Sequence, residues 1–102
     1  MKYQLVVQLP ASSIHDYDEM IALENTLIEA LPEGSEVDGH DAGSGEANIF
    51  INTDVPARVF NEIKSVLAAS DLLATARIAF REQSKSEYTV LWPDGLETFK
   101  VT

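Results

Sequence analysis

The chain has 102 residues, 45% hydrophobic and 24% charged, which is the balance of one ordinary globular domain. It contains no cysteine, so disulfides, thiolate catalysis and cysteine-held zinc or iron–sulfur centres are excluded. The net charge is −10, and between Lys2 and Arg58 there are eleven acids and not one Lys or Arg. A segregated negative charge opposes binding to a phosphate backbone, so nucleic acid is not an expected partner, and it favours a protein with a basic surface.

The N-terminal residues 2–9 alternate strictly. Tyr3, Leu5, Val7 and Leu9 fall on one side and Gln4, Val6 and Gln8 on the other, which predicts a strand covered on one face. The two glutamines interrupt the apolar run, unlike a signal peptide, and no apolar stretch nears the ~20 residues of a membrane helix. The expected setting is the cytoplasm, with no membrane contact.

Residues 14–31 carry Tyr17, Met20, Leu23, Leu27, Ile28 and Leu31 at spacings of three and four, the stripe of an amphipathic helix with acids on its other faces. Ser12, Ser13 and Asp16 signal its start, with Glu19 completing a capping-box spacing, and Leu31-Pro32-Glu33-Gly34 stops it. Residues 35–53 read as two short strands around a glycine-rich turn. In the second, Ala47, Ile49 and Ile51 oppose Asn48, Phe50 and Asn52. Thr53-Asp54-Val55-Pro56 places a capping residue ahead of a first-turn proline. Val59, Phe60, Ile63, Val66 and Leu67 then give a core-facing helix.

Residues 74–82 form a fourth strand, with Ala76, Ile78 and Phe80 opposite Arg77, Ala79 and Arg81. Residues 88–92 and 96–101 flank Pro93-Asp94-Gly95, where Pro at i+1 and Gly at i+3 suit a type I turn in a terminal hairpin. No linker or repeat divides the chain, so 1–102 is read as a single α+β domain. The order β-α-β-β-α-β followed by β-β predicts a ferredoxin-like two-layer sandwich with an added C-terminal β-hairpin. A rival sandwich of the same elements with another strand order stays open.

The densest polar cluster is Asp38-Gly39-His40-Asp41-Ala42-Gly43-Ser44-Gly45-Glu46. Metal binding would recruit His40 with Asp38, Asp41 and Glu46, but Asp38 and His40 share one face of a strand while Asp41 points to the other. The spacing matches no metal motif, so no metal or other cofactor is expected. Ser44 is too far around the turn from His40 to form a nucleophilic pair, and His15 lies at a helix N-terminus, where an imidazolium is disfavoured. No catalytic residue is assigned. Asp38, His40, Asp41, Ser44, Glu46 and Phe50 are retained as candidate binding residues.

The sheet face away from the helices should present Gln4, Val6, Gln8, Asn48, Phe50, Asn52, Arg77 and Arg81. A single aromatic on an acidic protein does not make an RNA-stacking surface. Self-association into a homodimer, partial cover by the terminal hairpin through Tyr88, Trp92 and Phe99, and a plain solvated face are the alternatives. The segments Gly39-His40-Asp41, Gly43-Ser44-Gly45-Glu46, Asn48-Ile49-Phe50-Ile51 and Tyr88-Thr89-Val90-Leu91-Trp92-Pro93 resemble small bacterial proteins of unassigned function. That resemblance implies a bacterial, cytoplasmic origin and carries no activity, cofactor or catalytic residue. The element order also resembles the dimeric ferredoxin-like domains, which include small monooxygenases and ligand-binding modules, and the one-sided charge resembles immunity proteins that neutralise basic toxins. A non-enzymatic module meeting a basic protein is the favoured expectation. The alternative is a small-ligand-binding or catalytic domain with His40, Asp41 and Glu46 at its rim.

Overall fold

A strand with one face buried has its register fixed by that face, because a slip of one residue would turn every apolar side chain outward. A computed structural model of the chain, describing residues 2–13, 17–43, 45–96 and 99, follows this rule. Five strands, β1 (Tyr3–Pro10), β2 (Glu36–Gly43), β3 (Glu46–Thr53), β4 (Arg77–Glu82) and β5 (Thr89–Trp92), form one antiparallel sheet in the order β2-β3-β1-β4-β5. Two helices of equal length, α1 (Tyr17–Ala30) and α2 (Pro56–Ala69), complete the α+β fold.

β1 lies at the centre of the registers. Leu5 stands between Ile51 and Phe80, and Val7 between Ile49 and Ile78. These side chains form one buried cluster with Met20, Leu23 and Leu27 of α1 and Val59, Ile63 and Leu67 of α2. Both helices therefore cover the same face of the sheet, and the faces assigned from alternation are the faces observed.

Several local expectations change. Ile28 is 56% exposed, so it leaves the α1 stripe, which keeps Met20, Leu23 and Leu27 buried with Leu31 packed against them. Phe60 is half-buried rather than central, with the Lys64 ammonium 4.7 Å from its ring centre. The residue preceding α2 is Val55, which has no side-chain cap, and Pro56 opens the helix. Thr53 instead accepts the Val55 N–H at 3.0 Å and bonds the Ser35 hydroxyl at 2.8 Å, while Asp54 accepts the Lys2 N–H at 2.8 Å. Thr53 and Asp54 thus fasten the end of β3 to its surroundings rather than capping α2. Leu73–Thr75 is a short 3-10 turn, so the fourth strand begins only at Arg77.

The predicted terminal hairpin differs most. Its first arm, β5, pairs with β4, and the Trp92 indole N–H donates to the Leu73 carbonyl at 3.0 Å. Most of its second arm, His15 and the α1 start signal Asp16 lie outside the described residues, while Ser12 and Ser13 belong to a short 3-10 turn ahead of α1. Leu96 N–H donates to the Pro93 carbonyl at 3.4 Å and Gly95 has φ +85°, so the turn starts at Pro93 and Gly95 takes the left-handed i+2 place. The type I register is replaced because glycine meets the positive φ without a Cβ clash.

Candidate functional site

The polar cluster of the sequence lies on β2, a strand at the edge of the sheet. Its register with β3 is regular at Val37↔Ile51, then shifts, and resumes at Gly39↔Phe50, His40↔Ile49, Asp41↔Asn48 and Gly43↔Glu46. Asp38 is the extra residue of this bulge and is exposed. The two-residue spacing from Asp38 to His40 is therefore not a plain strand repeat, and the expected sharing of one face is lost. A bulge adds one residue to one strand, so Val37 and His40, three apart, both lie opposite core residues.

His40 faces the helix layer, and its Nδ1 meets Glu24 Oε1 of α1. Glu24 is only 8% exposed, and among the described residues His40 is the one polar partner of that oxygen. A buried carboxylate is costly unless paired, so this contact makes burial of Glu24 tolerable while tying α1 to the edge strand. The sequence reading placed Glu24 among the solvent-facing acids. The signal that could have found it is its spacing, four residues after Met20 and three before Leu27, inside the apolar stripe.

Asp41 and Glu46 lie on the opposite face of the sheet, opposite Asn48 and Gly43 respectively. The trio His40, Asp41 and Glu46 is thus divided between two faces and does not converge on one point. Among the described residues no group of three His, Asp or Glu side chains is placed to hold a metal ion. Ser44 lies outside the described residues.

The face away from the helices is ordered in rows across the strands. One row reads Glu36, Asn52, Gln4, Arg81; the next Gly39, Phe50, Val6, Ala79, Val90; the third Asp41, Asn48, Gln8, Arg77. Acids stand at the β2 end and arginines at the β4 end. The centre is not a solvated surface: Val6, Ala79 and Asn48 are fully buried and Gln8 is 2% exposed. Gln8 Nε2 donates to Asn48 Oδ1 at 3.1 Å, a bond that lets two amides be buried. Arg81 Nη1 donates to the carbonyls of Glu82, Gln83 and Lys85 at 3.3, 3.0 and 2.8 Å, while its guanidinium carbon stands 5.9 Å from the Tyr88 ring centre. Tyr88 in turn contacts Phe99 with ring centres 5.2 Å apart. A shallow cleft lies at one end of this face, lined by Gln8, Pro10, Glu46, Thr75 and Arg77.

On the β2 side Phe50 and Glu46 are partly buried, while Glu36, Asp38 and Asp41 are exposed, as is Arg77 at the β4 end. Gly39 and Gly43 have no side chain, so Phe50 and Glu46 look out over them toward the sheet edge. No helix of the described residues is long and apolar enough to cross a membrane. Comparisons with protein-family models, with curated proteins and with solved structures give no match to this chain.

Proposed function

We propose that this chain is a non-enzymatic interaction module whose acidic side meets a basic partner protein. The observation that carries the reading is the placement of its charge. Asp18, Glu19 and Glu29 on α1, Glu33 just after it, and Glu36, Asp38 and Asp41 on β2 are all exposed. α1 and β2 pack together and are tied by Glu24 and His40, so two acidic elements adjoin. The division of His40 from Asp41 and Glu46 speaks against the alternative of a ligand or catalytic site assembled from those three. The buried centre of the outer face speaks likewise against a homodimer formed through it.

The fold proposed with this function is a ferredoxin-like sandwich extended by one edge strand. Its support is the order β2-β3-β1-β4, with a helix after β1 and after β3 and both helices on one face. A bacterial cytoplasm is the proposed setting, supported by the resemblance of the β2–β3 segment and by the absence of cysteine.

The test is capture from source cytosol at low salt, run in parallel with a variant carrying Glu29→Gln, Glu33→Gln and Asp38→Asn. A basic protein retained by the parent chain, lost from the variant and released by salt is the expected result. Identical capture by both chains would overturn the reading.

A further inference from the structure

We propose that the outer edge of β2 accepts an extended, cationic segment of another protein as an additional β-strand. The inference rests on the acidic-partner reading above and names how that partner is held. β2 ends the sheet and among the described residues pairs only with β3. The other edge, β5, is four residues long and is pinned through Trp92, whereas β2 has eight. An uncovered edge exposes a row of backbone donors and acceptors that an extended chain can satisfy.

The bulge confines regular pairing to Gly39–Gly43, about the length of an ordinary strand. Over that stretch the side chains of β2 prescribe the sequence of the added strand. Strands lie ~4.8 Å apart, so a residue added opposite Gly39 is ~10 Å from the Phe50 backbone, with no side chain between them. An apolar side chain there can lie over the glycine and meet the Phe50 ring. Two residues along, the neighbour is Asp41, which takes a Lys or Arg. Two further, the residue opposite Gly43 reaches across it to Glu46, again a place for Lys or Arg. The pattern is therefore apolar, x, basic, x, basic on one face of the incoming strand.

Charge also decides against a second copy of this chain. Pairing β2 with another β2 would bring the exposed Glu36, Asp38 and Asp41 of each copy together, and like charges across adjacent strands are destabilising. A cationic strand relieves the same repulsion.

The experiment uses the full chain and short capped peptides in which threonine alternates with valine, lysine and lysine. Because successive N–H groups of a strand point to opposite edges, backbone N-methylation of either alternate set blocks one edge and leaves the charge unchanged. One methylated peptide should bind at least about tenfold more weakly than the parent peptide and the other should match it, a difference of ~1.4 kcal/mol. The outward-facing amides among residues 39–43 should become protected from hydrogen exchange on binding, and Asp41→Asn with Glu46→Gln should weaken the parent peptide by about tenfold or more. Equal binding of both methylated peptides would overturn strand addition and leave a purely electrostatic contact, with the acidic-partner reading intact. Absence of binding by the parent peptide at low salt would also overturn strand addition, while the cytosol capture judges the acidic-partner reading separately.

Discussion

The two helices have the same length and cover the same sheet face, yet they are held differently. α2 sits on Val59, Ile63 and Leu67, all fully buried, so apolar burial alone seats it. α1 sits on Met20, Leu23 and Leu27 and buries Glu24 among them, held by a histidine from an edge strand. A purely apolar stripe is indifferent to its neighbour's chemistry provided the volume fits, whereas a buried carboxylate needs one particular partner. The α2 side is thus the firm half of the molecule. The α1–β2 side carries both the exposed charge and the polar fastening, and it is the half assigned to binding.

The strongest way to test this contrast is to remove core volume from the firm half. Ile63→Ala should cost about 2–5 kcal/mol, as core truncations do, measured by chemical denaturation. A loss below about 1 kcal/mol would mean that α2 does not seat by burial. On the other half, Glu24→Gln should cost about 1–2 kcal/mol, because it removes the buried charge that meets His40. Combined with His40→Gln it should give a coupling of about 0.5–3 kcal/mol. Strictly additive losses would place Glu24 and His40 in independent roles.

Asn48→Ala tests the outer face. It removes the Asn48 acceptor from the buried Gln8 amide and should cost about 1–3 kcal/mol, whereas a solvated face would give almost nothing. Phe60→Ala should cost less than Ile63→Ala, near 1–2 kcal/mol, because Phe60 is only partly buried, at the margin of the core. A cost equal to that of Ile63→Ala would return Phe60 to the centre of the core.

The smallest effect is that of salt. Between low salt and about 0.5 M, screening of the carboxylates on α1 and β2 should raise the melting temperature by a few degrees. Amide protection should rise more in α1 than in α2, since α2 also carries Arg58 and Lys64. An unchanged melting temperature would mean that the acids are too widely spaced to repel.

Alternation and helical spacing in the sequence are enough to show which faces of β1, β3, α2 and β4 meet the common core. Alternation on Leu5, Val7, Ile49, Ile51 and Ile78, and spacings of three and four on Val59, Ile63 and Leu67, are local consequences of strand and helix geometry. The one-sided charge is likewise legible in the sequence. Which strands become neighbours, and which one is left at the edge, depends on pairings between distant residues, and a period of two does not encode them. The place of β2 at the sheet edge, the bulge at Asp38 that turns His40 toward α1, and the burial of Glu24 against it therefore come from long-range packing. The same holds for Val6, Gln8 and Asn48. Their alternation put them on the face away from the helices, but their burial is set by what the folded chain places around them.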